Sequence, residues 1–278
     1  VQIWQAILLG IVEGLTEFLP VSSTGHLTIT ERLLGLKVDD PGVTAYTAII
    51  QMGAIAAAII YFRRDIGRFI MGFLRGVTSA SGRQSQDWRM ALIVIVGSIP
   101  IAVVGIVAKP LIEGALRSLW VVANALIAWC LVMVFAEYRA TQKRSEGDLT
   151  FKDAAIIGAA QSLALIPGVS RSGATISAGL LLGIDRVTAT RLSFFLGIPA
   201  LTAAGVLEAV SQAAQISATV GWMPTLVGIV VSFIVGYASI AWLLKFVANH
   251  SLVSFVWYRM AAGVIIIGLL AAGAIAAT

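Results

Sequence analysis

Charged residues are scarce. Asp, Glu, Lys and Arg make up 12% of the 278 residues, against 59% hydrophobic. A soluble domain of this length carries roughly twice that charged share. The charges also leave long apolar runs unbroken. Residues 43–62, 90–108, 119–136, 226–244 and 253–277 each approach or exceed the ~20 residues that span a bilayer. A soluble globular fold is thereby excluded. Cysteine is nearly absent: Cys130 stands alone inside an apolar run. An internal disulfide is excluded, and the thiol reads as a small apolar filler. The N-terminus has no basic region, and its first apolar run leads into Glu13 and Glu17 rather than a small-residue cleavage site. No cleavable signal peptide is expected, and Val1 in first place points to a trimmed start. No stretch between the runs is long enough to fold as a separate soluble domain. The net charge of +5 and pI of 9.7 would suggest nucleic acid in a soluble protein. Here the positive charges sit at the ends of apolar runs, so membrane topology accounts for them and no nucleic-acid partner is expected.

The mean hydropathy of +0.94 resolves into six full crossings, at about 42–62, 89–109, 117–138, 187–210, 221–246 and 252–277. Two further apolar segments, about 3–36 and 154–184, are broken near their middles by Pro20-Val21-Ser22-Ser23-Thr24-Gly25 and Pro167-Gly168-Val169-Ser170-Arg171-Ser172-Gly173. The pieces on either side are too short to span. Such segments read as re-entrant hairpins, whose non-helical backbone must be buried in protein or line a wet cavity.

The two broken segments are related. Shifted by 148 residues, the first aligns on the second without a gap. Gly10, Leu15, Val21, Ser22, Gly25, Leu33, Leu34 and Gly35 fall on Gly158, Leu163, Val169, Ser170, Gly173, Leu181, Leu182 and Gly183. Glu13 meets Gln161, and Thr24 meets Ser172. This predicts an internal repeat of a hairpin plus three spans, with copies at about 1–138 and 150–278. A hairpin crosses zero times and three spans cross an odd number. The second copy therefore starts on the opposite face, giving an inverted repeat whose hairpins meet near the midplane. The expected fold is all-α and integral to the membrane: six transmembrane helices plus two re-entrant hairpins.

One side of this topology carries Arg63, Arg64, Arg68, Arg75, Arg83, Arg89, Arg139, Lys143, Arg144, Lys152, Arg186, Arg191 and Lys245; the other carries Lys37, Lys109 and Arg117. The positive-inside rule makes the first side cytoplasmic and puts both termini and the first hairpin's mouth outside. The longest loop, about 63–89, is cytoplasmic, and its start reads as an amphipathic helix on the membrane surface.

Ionisable groups inside membrane segments are costly and mark function by default. Glu13 and Glu17, four apart, share a helix face. They suit a divalent-metal site or a general base with a neighbour that sets its pKa; the plainer reading is a pair of structural acceptors. Ser22, Ser23 and Thr24 sit where a half-helix begins. One hydroxyl there is a cap; three, followed by Gly25 and His26, exceed what capping needs. His26 suits a general acid, base or covalent nucleophile, or is satisfied by one hydrogen bond. In the second turn Arg171 stands between Ser170 and Ser172, with Thr175 one turn on. Its fork of donors matches phosphate oxygens, or pairs with Glu13 or Glu17. Gly168 and Gly173 let backbone approach an anion closely. Gln51 and Gln161 read as hydrogen-bond partners of the hairpins. Arg259, beside Tyr258, reads either as a second anion contact or as a side chain snorkelling to the cytoplasmic face. Glu31 and Arg32 read as interfacial. Trp4, Trp120, Trp222 and Trp257 read as an interfacial belt.

These residues carry a resemblance. Residues 13–26, from Glu13-Gly14-Leu15-Thr16-Glu17 to Gly25-His26, and residues 167–175, from Pro167 to Thr175, are similar to the two signature motifs of the bacterial undecaprenyl-diphosphate phosphatases, the bacitracin-resistance membrane family. The likeness runs over essentially the whole chain, through Gln51-Met52-Gly53 and Tyr258-Arg259. It implies hydrolysis of a polyprenyl diphosphate lipid to the monophosphate and inorganic phosphate, recycling the lipid carrier of cell-wall precursors. It also implies a plasma-membrane location, a site open to the outer face and stimulation by a divalent cation, Mg or Ca, held by Glu13 and Glu17. The site residues it implies are Glu13, Glu17, Ser22, Ser23, His26, Ser170, Arg171, Ser172 and Thr175. Together with the reading of the residues this gives a catalytic set of Glu17, Ser23, His26 and Arg171, with Ser22, Thr24, Ser170, Ser172, Gly173, Thr175, Gln51 and Arg259 on the substrate. Ser23, His26 and water all remain open as the attacking group. The rival reading from another class is a lipid-phosphate transporter or flippase, since broken helices in inverted repeats also build transporters. Self-association into a homo-oligomer is compatible with the sequence, which fixes no copy number.

Overall fold

A computed structural model describes residues 1–37, 40–113, 116 and 118–276. Arg117, counted above with the outer charges, and residues 117 and 277, the expected limits of two spans, lie outside the described residues. The elements in order are α1 (Ile3–Thr16), α2 (Ser23–Leu33), α3 (Pro41–Tyr61), α4 (Arg63–Thr78), α5 (Gln86–Val107), α6 (Lys109–Glu113), α7 (Leu119–Arg139), α8 (Phe151–Ser162), α9 (Arg171–Leu181), α10 (Arg186–Gln215), α11 (Trp222–Asn249) and α12 (Val253–Ala271). No strand occurs among the described residues.

Six of these helices, α3, α5, α7, α10, α11 and α12, are long and apolar enough to cross a membrane. Polar side chains cap the starts of α3, α5 and α7. Asp40 accepts from the amides of Gly42 and Val43 ahead of Pro41 in the first turn, Ser85 caps Trp88, and Ser118 caps Trp120. The last helix stops at Ala271, short of the expected 277. Gly273 adopts φ +67, its N–H bonds Leu270 O, and the Ala274 N–H bonds Leu269 O. This Schellman stop ends a helix inside sequence that stays apolar, so hydropathy could not see it.

The broken segments form two short helix pairs. Gln5, near the start of α1, donates to the carbonyl of Leu34 at the end of α2. Arg144 donates to Asp153 in the first turn of α8 and to Leu182 O at the end of α9. Each pair is therefore a hairpin with its open ends together. At about 1.5 Å per residue, no member reaches the ~30 Å of a hydrocarbon core. The two hairpins match residue for residue at the 148 offset. Ser22 and Ser170 both sit at φ +76, and Gly35 and Gly183 sit at φ +71 and +80 in identical Schellman stops.

Packing joins the two halves of the chain. Helix α1, from the first half, packs on α11 from the second; α8, from the second, packs on α5 from the first. Glycines permit both approaches. A Cβ on Gly10 would lie 2.8 Å from Gly228 O, and one on its counterpart Gly158 would lie 2.2 Å from Gly97 O. In lipid, such close backbone contact supplies the packing energy that water exclusion supplies elsewhere. The largest buried cluster includes Phe18, Phe62, Phe194 and Phe195. The Phe18 and Phe194 rings meet edge to face at 5.4 Å, between the hairpin tips and the arginine-rich end.

That end is laced by ion pairs, among them Arg186–Glu137 at 2.7 Å and Arg191–Asp65 at 3.0 Å. The Arg144–Asp153 pair closes the second hairpin. Burial pushes the Asp153 carboxyl up, but hydrogen bonds from Arg144 and Thr150 outweigh it and hold the group below the usual carboxylate range. A depressed folded-state pKa stabilises above the unfolded value and is lost as pH falls through the folded one. Asp153→Asn is expected to cost about 1–3 kcal/mol at neutral pH. Its deficit in unfolding temperature should begin to shrink below about pH 4, where the unfolded-state carboxyl protonates, and vanish once pH falls past the lower folded-state value. An equal deficit at both pH values would count against this pair.

Candidate active site

The site forms where the two hairpin turns meet. Ser22 and Ser170, at φ +76, occupy a backbone region that residues with a side chain rarely adopt, at a cost of order 1–3 kcal/mol each. The surroundings hold them there. Ser22 O accepts from the His26 amide, and Ser22 Oγ accepts from the Gly168 amide of the opposite turn at 3.1 Å. Ser170 O accepts from the Ala174 amide, while Ser170 Oγ accepts from the Gly173 amide and contacts Ser172 Oγ at 3.2 Å. In return Ser172 Oγ donates to Leu19 O in the first turn at 2.9 Å. No side chain caps the start of α2. Its first amides therefore remain available to an anion, with the positive end of the helix dipole behind them.

Arg259 fastens both turns from behind. It is fully buried, and its Nε and Nη2 donate to Leu126 O, Nη1 to Pro20 O at 3.0 Å and Nη2 also to Gly168 O at 2.8 Å. Every nitrogen of the guanidinium is thus spent on backbone carbonyls. The side chain neither snorkels nor lines the cavity.

The cavity, of about 130 Å³, has room for a phosphoryl group. Its polar wall is Glu17, Ser22, Ser23, Thr24, Gln51, Ser170 and Arg171. Glu17, only 5% exposed, is the hub. It accepts from Ser23 Oγ at 2.7 Å, from Gln51 Nε2 at 3.2 Å and from Arg171 Nη2 at 3.3 Å. Arg171 also donates Nη1 to Ser193 O at 2.9 Å, and its buried Nε has no partner. Gly197 makes room for it, since a Cβ there would lie 2.0 Å from Nη1. A carboxylate that accepts a serine hydroxyl beside a partly free guanidinium can take a proton from an attacking oxygen while positive charge faces a phosphate.

The remaining sequence candidates stand behind this wall. Thr175 donates to Ser193 Oγ at 2.7 Å or to backbone of its own helix. Gly173 and Ser172 take part in the turn contacts above. Gln161 is buried with neither side-chain polar atom bonded, unlike Gln51. His26 does not line the cavity. Its Nδ1 lies 2.7 Å from Ser22 O and its Nε2 2.6 Å from Tyr258 Oη, with the two rings stacked at 5.4 Å. A carbonyl only accepts, so Nδ1 carries the proton, and Nε2 of the neutral ring accepts from the tyrosine. Ser193, Gly197 and the tyrosine's grip on the histidine went unread in the sequence. A serine and a glycine inside an apolar span carry no signal there, while Tyr258 stood out only as the neighbour of Arg259.

Among the described residues no three His, Cys, Asp or Glu side chains gather at one point. The carboxylates at the site are Glu17 and Glu13. Glu13 is 1% exposed, and neither of its oxygens has a hydrogen-bond partner. An orphaned buried carboxylate fits a cation ligand. Magnesium is commonly held by one or two carboxylates, with substrate phosphates and water completing its shell.

The family described as Bacitracin resistance protein BacA matches residues 6–265. Undecaprenyl-diphosphatase 3 of Frankia casuarinae is 55% identical over 99% of both chains. Undecaprenyl-diphosphatase 1 of Streptomyces coelicolor is 54% identical, and undecaprenyl-diphosphatase of Cutibacterium acnes 53%, each over 98% of both chains.

Proposed function

The chain belongs to the Bacitracin resistance protein BacA family, and on that footing we propose that it hydrolyses undecaprenyl diphosphate to undecaprenyl phosphate and inorganic phosphate. The observation that carries this reading is Ser23 on Glu17 beside Arg171, in a cavity walled by both hairpin turns. The terminal phosphate enters against the uncapped amides of α2 and the free Nε of Arg171. Glu17 accepts the Ser23 proton as Ser23 Oγ bonds to the terminal phosphorus. The bond from that phosphorus to the bridging oxygen breaks, and undecaprenyl phosphate leaves. Water then attacks the phosphoserine, releases inorganic phosphate and restores the hydroxyl. The apolar rim of Ile101, Ala164, Leu165 and Leu201 is where the prenyl chain leaves for the lipid. Glu13 and Glu17 would hold a divalent cation, Mg or Ca, which supplies neutralising charge to the diphosphate oxygens when bound.

Trapping the phosphoenzyme tests the attacking group. Label is expected on Ser23 and absent in Ser23→Ala. Label on His26 would move the attack there, after release from Tyr258. No label under any quench would leave water as the nucleophile, with Glu17 as its base.

Charge asymmetry supports a bacterial plasma-membrane topology with both termini and the cavity mouth on the outer face. The hairpins then re-enter from opposite faces and return the lipid carrier to cell-wall synthesis. The transport alternative draws no support from the relatives above, each named as a diphosphatase. Binding alone also has no need of a hydroxyl on a carboxylate.

A further inference from the structure

Helix α4 lies between the end of one span and the start of the next, and its residues divide among three faces. At about 100° per residue, Phe69, Gly72 and Gly76 share one face, and all three are buried. Gly72 and Gly76 press this face on the start of α5: a Cβ on Gly76 would lie 2.1 Å from the Trp88 ring. The second face carries Ile70, Leu74 and Val77, each more than half exposed. The third carries Arg64, Arg68 and Arg75 within about 40° of one another.

The arginine face borders a cleft of about 610 Å³ between α4 and the segment 79–87. Arg68, Arg75, Ser79, Ser81, Ser85 and Asp87 line it. Arg68 is anchored by Asp87 at 3.2 Å and Asp65 at 3.5 Å, which leaves Asp87 neutralised. Arg75 lines the same cleft and pairs with no carboxylate among the described residues; Arg64, farther along the stripe, lies outside the lining. The cleft thus offers an uncompensated guanidinium and space, while the hydroxyls of Ser79, Ser81 and Ser85 donate to Arg75 O, Ser79 Oγ and Gly82 O. It sits beside an apolar face that a bilayer edge would bury.

We propose that this cleft binds the phosphate of an anionic phospholipid headgroup, the acyl chains lying along Ile70, Leu74 and Val77. Charge complementarity favours a phosphodiester over a zwitterionic headgroup, whose own cation would face the arginines. The adjoining apolar face favours a lipid over a free anion. The inference needs only the membrane character of the chain and stands or falls apart from the phosphatase reading.

The test is thermal unfolding of the full chain in detergent micelles supplemented with dioleoyl phosphatidylglycerol, dioleoyl phosphatidylcholine or inorganic phosphate. Phosphatidylglycerol should raise the unfolding temperature and phosphatidylcholine should not. The phosphatidylglycerol concentration giving half the shift should rise about fivefold for Arg75→Gln, and this change should leave phosphate release untouched. Arg139→Gln, an exposed arginine at the same end but outside the cleft, should leave the shift intact. The proposal fails if Arg75→Gln keeps the wild-type response, if Arg139→Gln weakens it equally, or if phosphatidylcholine or inorganic phosphate reproduces it.

Discussion

Arg171→Ala is expected to cut phosphate release from undecaprenyl diphosphate by about 10²–10³-fold, the usual cost of removing one preorganised donor from a site where charge develops. The cause is local. Arg171 is held by Ser193 O and Glu17, and its remaining nitrogen points nowhere else in the protein. Arg171→Lys should recover only part of the loss, because an ammonium supplies charge without the planar fork that fits both Ser193 and a phosphate. Glu17→Gln should fall comparably for a different reason: the amide still accepts from Ser23 but cannot take its proton. Inorganic phosphate released by detergent-purified protein measures all three. Full rates in Arg171→Ala and Glu17→Gln together would place the chemistry elsewhere.

The second large effect belongs to a residue that touches no substrate. Arg259→Met should strand the carbonyls of Pro20 and Gly168 in the interior, while Leu126 O keeps the Cys130 thiol within its own helix. A buried acceptor without a partner costs about 1–3 kcal/mol, so two set a loss of about 2 kcal/mol or more. The unfolding temperature should drop steeply, and the protein that remains folded should release little phosphate, because both hairpin turns lose their shared anchor. Arg259→Lys should sit between, with one ammonium reaching some of the carbonyls. A wild-type unfolding temperature in Arg259→Met would show that the turns hold without the clamp.

Much of this architecture is legible in the sequence because lipid simplifies the rules. A span must satisfy its own backbone, so apolar length alone placed α3, α5, α7, α10 and α11 to within a few residues. The offset of 148 residues was readable because both hairpins need the same unusual backbone at the same points: a serine at φ +76 and a glycine stop. The gathering of Glu17, Ser23 and Arg171 was readable as residue types, since buried ionisable groups are costly in that setting and draw polar partners. Depth and direction were not. Arg259 could as well have faced an anion or a membrane surface; only the arrangement of three distant carbonyls around it decides. Thr175 and Ser172 share the second turn with Arg171, yet side-chain direction points them to Ser193 and Leu19 rather than into the cavity. Tyr258 reaches His26 across more than two hundred residues, a distance that no local pattern encodes.

The packing of early helices on late ones has a consequence for synthesis. Every residue that lines the cavity lies between Glu17 and Leu201. The helices that hold the first hairpin and clamp both turns, α11 and α12, emerge from the ribosome last. A growing chain thus carries the complete chemical inventory of the site well before it owns a site. The first hairpin, with its strained serine, has α3 beside it early but waits for α11 and the Arg259 clamp. Activity arrives late and all at once, when Gly228 reaches Gly10 and Arg259 closes on the turns.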